Sequence, residues 1–129
     1  MKLAGPAWLG CAGENARMAD ATVMLTIFLK HNQAKNLAEM QALLDRNEWW
    51  ERFPPKGVEI VSWTVVMGVG QIVTLRLPPE LVNAVNVEIE RSAWGVFTTE
   101  FFPTYDFVPV RERLTREYRA RRAAAGQAE

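Results

Sequence analysis

The stretch "TVMLTIFLK" at residues 22–30 decides the fold class. β-branched and apolar residues dominate it, which favours a strand, and apolar side chains occupy both odd and even positions. Because successive side chains of a strand point to opposite faces of a sheet, neither face of this strand is expected to lie open to water. The stretch therefore predicts a sheet that is covered on both sides.

The spacing of apolar residues changes directly after this strand. Between residues 31 and 53 they recur at helical spacing, as Leu37, Met40 and Leu44 do. Asn36 or Asn32 is expected to cap this helix. The "PPKG" segment at 54–57 is expected to end it, because proline cannot continue a helix.

Three further strands and a second helix are predicted in the rest of the chain. The strands are 58–68, 71–78 and 95–102. A tight hairpin at Gly68–Gly70 joins the first two of these, and Pro78-Pro79 opens the second helix. That helix is expected to bury Leu81, Val85 and Ile89, and a charged helix is expected from about 109 to 124.

This order, β-α-β-β-α-β, predicts an α+β fold of the ferredoxin-like type with an extra C-terminal helix. Right-handed crossovers place the strands in the antiparallel order 4-1-3-2, with both helices on one face. A twofold homodimer is the simplest cover for the other face. We expect the domain to span 21–110 and a charged tail to span 111–129. Residues 1–20 are expected to be an N-terminal extension, of which 1–17 precede a natural start at Met18.

Composition narrows the function classes. The 129 residues carry 15 basic and 15 acidic side chains, so no overall field favours nucleic acid or an anionic membrane. The single cysteine, Cys11, fits a reducing cytoplasm, and no apolar run is long enough to span a bilayer. Arginine-rich residues 111–122 predict a solvated helix with Glu112–Arg116 and Glu117–Arg121 pairs, or an arm across a partner.

Several functions lack their sequence signature. The third strand, 71–78, has none of the aromatic residues with which an RNA-recognition module stacks bases. A metal-carrying domain would need a cysteine pair in its first loop. Phosphate loops, dinucleotide fingerprints and nucleophile elbows are also missing from the sequence. No metal, cofactor, nucleic-acid or membrane partner is therefore expected.

The arrangement resembles the dimeric α+β barrel superfamily. The similar features are a strand ending "FLKH" (28–31), a helix ending at Trp49-Trp50, a hairpin, and a short helix before an aromatic strand. Muconolactone isomerase-like proteins are closest in size and order. The resemblance covers about 21–110 and contains no alignable catalytic motif. It implies a ligand chamber in a homodimer, as in cofactor-free isomerases, polyketide cyclases, small monooxygenases, haem enzymes or non-catalytic binders.

Charged side chains interrupt the apolar strands on the predicted face that bears Thr26 and Lys30. Arg76 and Glu100 belong to this face and are both expected beside Met24, two strand spacings of about 4.8 Å apart. Either the two side chains bracket a ligand or they form a plain ion pair. Arg76 or Lys30 is predicted to hold a carboxylate or enolate.

His31 is the predicted proton shuttle, because it is the only histidine and imidazole titrates near neutrality. Glu100 and Asp106 are predicted to assist it as catalytic residues. The alternative for His31 is a surface or helix-capping role. The alternative for Asp106, which follows a bend expected after Pro103, is hydrogen bonding to backbone N–H groups.

Aromatic residues are predicted to line the substrate pocket, since tryptophan and tyrosine combine apolar area with a polar tip. Trp63 is the leading choice, and plain core packing is the alternative for each. The full predicted binding set is Phe28, Lys30, Trp49, Trp50, Trp63, Arg76 and Tyr105.

These observations predict a cytoplasmic, cofactor-independent enzyme that isomerises or cyclises a small, oxygenated, partly apolar substrate by proton transfer. A lactone or a polyketide-like molecule fits that description. A non-catalytic dimeric binding protein is the main alternative, followed by a cofactor-free monooxygenase or a haem protein.

Overall fold

The computed structural model of the chain describes residues 21–128. The strands are β1 (Val23–His31), β2 (Glu59–Val66), β3 (Gly70–Leu77) and β4 (Phe97–Thr104). The helices are α1 (Leu37–Arg46), α2 (Trp49–Arg52), α3 (Val82–Ser92) and α4 (Val108–Ala128), with a 3-10 turn at Pro79–Leu81 before α3. The predicted N-terminal extension, with Cys11 and Met18, lies outside the described residues.

The four strands form one antiparallel sheet in the order β2-β3-β1-β4. The predicted α+β class, strand order and C-terminal helix are therefore confirmed. In the middle of the sheet, Thr26 of β1 lies opposite Thr74 of β3 and Phe102 of β4. Between β2 and β3 the register shifts between Ile60 and Ser62.

Helices α1, α2 and α3 pack on one face of the sheet, which we call the covered face. Its side chains on β1 are Leu25, Ile27 and Leu29, and those on β3 are Val73, Leu75 and Leu77; all are buried. They form one core with helical Met40, Leu44, Trp49, Val85 and Ile89. Burial of aliphatic side chains of this size stabilises the fold by about 1.5–3 kcal/mol each.

The opposite side, the uncovered face, has no fully buried side chain among the described residues. Its members on β1 are Met24, Thr26, Phe28 and Lys30; on β3, Ile72, Thr74 and Arg76; on β4, Thr98, Glu100, Phe102 and Thr104. All are half-buried or exposed. The described chain thus covers one face of its sheet with helices and leaves the other accessible.

The first helix differs from its prediction at the C-terminal end. Asn36 caps α1 through a reciprocal pair of hydrogen bonds with Glu39, so one of the two predicted caps is confirmed. The helix ends at Arg46, before the "PPKG" segment. Glu48 then adopts left-handed backbone angles (φ 63°), which separates α1 from the single turn of α2.

The last strand was predicted two residues too early. β4 (Phe97–Thr104) runs through Pro103, which lies beyond the predicted end of the strand at 102. Because β4 is paired only with β1, a proline without an N–H group is tolerated on this edge strand. Asp106 then accepts a hydrogen bond from the backbone N–H of Val108 (2.9 Å) at the start of α4.

α4 is exposed along almost its whole length, with only Val110 and Thr115 half-buried. Its i, i+4 ion pair is Arg113–Glu117 at 3.7 Å, so the two predicted pairs in this helix are wrong. Within residues 21–128, no helix combines the length and apolar character needed to span a membrane.

Candidate functional site

The opening of the candidate site lies on the uncovered face at the C-terminal end of β1. Glu100 on β4 lies opposite Phe28, and its carboxylate contacts the ammonium group of Lys30 (Nζ–Oε1 3.3 Å). Both charged side chains are about half exposed, at 45% and 46%. An ion pair that is accessible to water stabilises a fold by only about 0–1 kcal/mol. A ligand can therefore replace one partner of the Lys30–Glu100 pair at little cost to the fold.

An apolar cavity of about 240 Å³ adjoins this ion pair. Phe28 and Ile72 form its floor from neighbouring strands, and Val66 and Val69 come from the β2–β3 hairpin. Phe28 also meets Phe102 edge to face, with ring centroids 5.4 Å apart. The cavity is therefore apolar inside and charged at the rim, which suits a ligand with one oxygenated end.

Threonine hydroxyl groups form a short row beside this cavity, across three strands. Thr26 Oγ1 lies 3.0 Å from Thr74 Oγ1 and 2.9 Å from Thr104 Oγ1. A hydroxyl both donates and accepts, so this row can bind a further polar group without a charge.

A second ion pair lies at the other end of the same face. Arg76 contacts Glu59 at 3.3 Å, and its guanidinium also approaches the sulfur of Met24. Arg76 is opposite Met24 as predicted, but Glu100 is opposite Phe28, four residues further along β1. The predicted meeting of Arg76 with Glu100 is therefore wrong, because the β1–β4 register separates them by roughly 13 Å along the strands.

His31 lies on the covered side of the sheet, opposite Phe97. Its ring stacks on that phenylalanine with centroids 6.0 Å apart. A cleft of about 70 Å³ beside it is lined by Met40, Leu44 and Trp50, among others. His31 and Lys30 are neighbours in a strand, so their side chains point to opposite faces and His31 does not join Glu100.

Asp106 and Tyr105 lie beyond the other end of β1, because Thr104 is opposite Met24. His31 is seven residues away along that strand, or roughly 23 Å. The structure therefore does not bring together His31, Glu100 and Asp106, and the predicted three-residue catalytic group is wrong as a geometric unit. Asp106 instead has the backbone-binding role that was its alternative.

None of the tryptophans predicted for the pocket lies on the uncovered face. Trp49 is buried and stacks on Phe53 at 4.3 Å, and Trp63 meets both rings edge to face. Trp63 is opposite Val73 on the covered face, and its indole N–H donates to Gln71 Oε1 (2.7 Å). Trp50 is exposed and donates to Asp45 (2.8 Å). Trp49 belongs to the core and Trp63 packs against it, whereas Trp50 lies at the surface, so only Phe28 of the predicted aromatics lines the uncovered-face cavity.

A separate groove of about 430 Å³ runs between the end of α3 and β4. Trp94, which is 75% exposed, and Glu90 lie along it, with Asn32 at one end. The Asn32 amide donates to the Gly95 carbonyl (2.8 Å), so it is already occupied in holding the loop. This groove shares no charged side chain with the uncovered-face cavity.

Sequence reasoning missed several residues of the site: Val66, Val69, Ile72, Phe102 and the hydroxyl of Thr104. A signal existed for two of them. Ile72 is two residues from Thr74 in β3, and Phe102 is two residues from Glu100 in β4. Each therefore lies on the same face of the sheet as that residue. Val66 and Val69 reach the cavity because of the conformation of the β2–β3 hairpin, and the alternation of side chains along a strand does not specify that conformation.

Comparison with known proteins adds no assignment. No protein-family model, curated protein or solved structure matches this chain.

Proposed function

We propose that the chain is a homodimer of the ferredoxin-like, dimeric α+β barrel type that binds a small, oxygenated, partly apolar molecule between two uncovered faces. The observation that supports this proposal is the apolar cavity on the uncovered face with the Lys30–Glu100 pair at its rim. A cavity with apolar walls and a few polar groups at its rim is typical of a binding site.

A second copy is needed to make this cavity a closed site. Ligand pockets commonly have volumes of about 300–1,000 Å³, and the cavity of one copy, at about 240 Å³, is smaller and open on one side. Two such cavities brought together enclose about twice this volume. Closing the face would also exclude water from Lys30 and Glu100, which strengthens their electrostatic interaction with a substrate.

The proposed reaction is isomerisation or cyclisation of a lactone or polyketide-like substrate without a cofactor. Glu100 accepts a proton from a carbon next to a carbonyl group, and the electron pair of that C–H bond forms an enolate. The ammonium group of Lys30 stabilises the enolate oxygen. The Glu100 carboxyl group, whose proton can exchange with solvent, then protonates another carbon and gives the isomer, so atoms and charge balance. His31 takes no part, because it lies on the other face.

The test is exchange of substrate protons for deuterium in heavy water, followed by NMR, with unsaturated γ-lactones and phenolic polyketide mimics as probes. Glu100→Gln is expected to slow exchange by about 10²–10⁴-fold, the usual contribution of a general base. Glu59→Gln is the matched control, since Glu59 forms an ion pair of equal length on the same face. Equal exchange in the Glu100→Gln variant and the unaltered protein would remove Glu100 from the mechanism.

A non-catalytic binding protein is the second candidate, and one observation favours it. Glu100 is already neutralised by Lys30 and about half exposed, as expected for a pair that only orients a ligand. In that case the probes bind and their binding weakens in Lys30→Met, while no variant and no wild-type sample exchanges protons. Proton exchange by the wild-type protein that Glu100→Gln abolishes would exclude this candidate.

A further inference from the structure

We infer that α4, with Phe107 before it, is an arm that docks on the body, residues 21–106, of a second copy of this chain. This inference rests on the homodimer of the proposed function and adds a contact that the two uncovered faces do not include. It starts from an exposed apolar stripe on α4. The stripe consists of Leu114 and Tyr118 in α4 and of Phe107, the residue directly before the helix; their exposed fractions are 44%, 52% and 50%.

The stripe follows from helical geometry. Leu114 lies seven residues after Phe107 and four before Tyr118, so the three side chains share one side of the helix. Together with Arg111 and Arg119 they line a shallow concave surface. No element of the body packs extensively against α4 in the described chain. A helix of 21 residues that exposes large apolar groups gains free energy by burying them.

The net charges of the two parts favour the body of another copy as the binding partner of α4. Residues 21–106 carry seven basic and ten acidic side chains, a net charge of −3, whereas α4 carries six arginines and two glutamates, a net charge of +4. Two α4 helices would repel each other, and α4 is attracted to the oppositely charged body. The apolar side chains of the stripe are flanked by Arg111 and Arg119, so the surface that binds them is expected to be acidic and partly apolar.

The area of the interface gives an independent reason. Four strands of about eight residues cover roughly 19 by 26 Å, so one uncovered face offers about 500 Å². Stable interfaces bury about 800 Å² per partner. One side of α4 is about 31 Å long and 10 Å wide, which adds about 300 Å². The sheet face and the arm together reach the size that a specific dimer needs.

The test compares Leu114→Glu with Ala123→Glu in the full chain by sedimentation equilibrium. The two positions are nine residues apart and therefore lie on opposite sides of α4, so each variant adds the same charge to the same helix. Leu114→Glu is expected to raise the dimer dissociation constant about 10- to 100-fold, and Ala123→Glu less than about threefold. Higher salt is expected to weaken the wild-type dimer, since opposite charges meet in it.

Phe102→Glu, on the uncovered face, separates this inference from the proposed function. If only Phe102→Glu dissociates the dimer, and Leu114→Glu and Ala123→Glu have equal dimer dissociation constants, the docking of α4 is overturned and the proposed ligand site between the uncovered faces stands. Dissociation by Leu114→Glu alone supports the arm and overturns the chamber. A monomeric wild-type protein overturns both. Salt-sensitive binding of α4 to phosphatidylglycerol vesicles or to a DNA duplex, with self-association unaffected by Leu114→Glu, also overturns the arm and identifies a different occupant.

Discussion

The two faces of the sheet use alternate residues of the same strands for different purposes. On β1, the buried side chains of Leu25, Ile27 and Leu29 alternate with the half-buried Thr26 and Phe28. The covered face joins three helices into one core, whereas the uncovered face carries hydroxyl groups, ion pairs and an apolar cavity. Stability is therefore concentrated on one face, and the other can change its contacts at small cost to the fold.

The largest expected effect compares neighbours on β3. Leu75→Ala removes a fully buried side chain and should lower the free energy of unfolding by about 2–5 kcal/mol. Thr74→Ala, one residue away on the other face, loses a hydrogen bond to Thr26 and should cost about 0.5–1.5 kcal/mol. Urea denaturation measures both. Equal losses would mean that the uncovered face carries as much of the stability as the core.

Gly70 gives the next largest effect, because it pairs with Lys30 of β1 and leaves no room there for a side chain. A β-carbon at Gly70 would collide with backbone atoms of Leu29 and Lys30, which cannot move independently of the strand. Gly70→Ala should cost about 1–3 kcal/mol. Gly126→Ala, in open space on α4, is the control and should be neutral or stabilising. A neutral Gly70→Ala would show that the two strands can separate without disturbing either face.

A smaller effect is expected in the helical layer. Asn36→Ala removes the side-chain oxygen that accepts the Glu39 N–H (2.8 Å) and should cost about 1 kcal/mol. Asn83→Ala, at an exposed position inside α3, serves as the comparison and should change stability by less than about 0.5 kcal/mol. Thermal unfolding followed by circular dichroism measures the difference. If the two variants are equally stable, α1 is held by its packing alone.

The smallest effect on stability is expected at the ion pair of the uncovered face. Glu100→Gln should change the free energy of unfolding by less than about 1 kcal/mol, because both partners are about half exposed. Chemical denaturation tests this on the same samples used for deuterium exchange. A loss comparable to that of Leu75→Ala would mark the pair as a structural element and argue against a functional role.

Sequence reasoning succeeded where one rule sufficed. Alternation along residues 22–30, together with right-handed crossovers, predicted the strand order and the face that each residue of β1 occupies. The same alternation places His31 on the face of Leu29, opposite Lys30, so the separation of His31 from Glu100 could have been predicted. Asn36 was identifiable as a cap because Glu39 follows it at the right spacing.

Register and irregular backbone were not predictable in the same way. Glu100 was expected opposite Met24 and lies opposite Phe28; a shift by an even number of residues keeps every side chain on its face, so alternation cannot detect it. Trp63 follows the irregular pairing between Ile60 and Ser62, and such an irregularity has no clear sequence signal. The predicted contact between Arg76 and Glu100 is therefore wrong, although both side chains lie on the predicted face.

The irregularity in β2 also limits how many copies can join edge to edge. The outer edge of this strand is apolar and exposed, with Ile60, Val61 and Val65 accessible to solvent. A straight edge of this composition would be a template for continuous strand addition and fibre growth. The register shift at Val61 interrupts the regular pairing of β2. Irregularities of this kind bend a strand and increase its twist, which opposes pairing of a further strand along the whole edge. Growth by strand addition is thereby opposed by a single irregular residue.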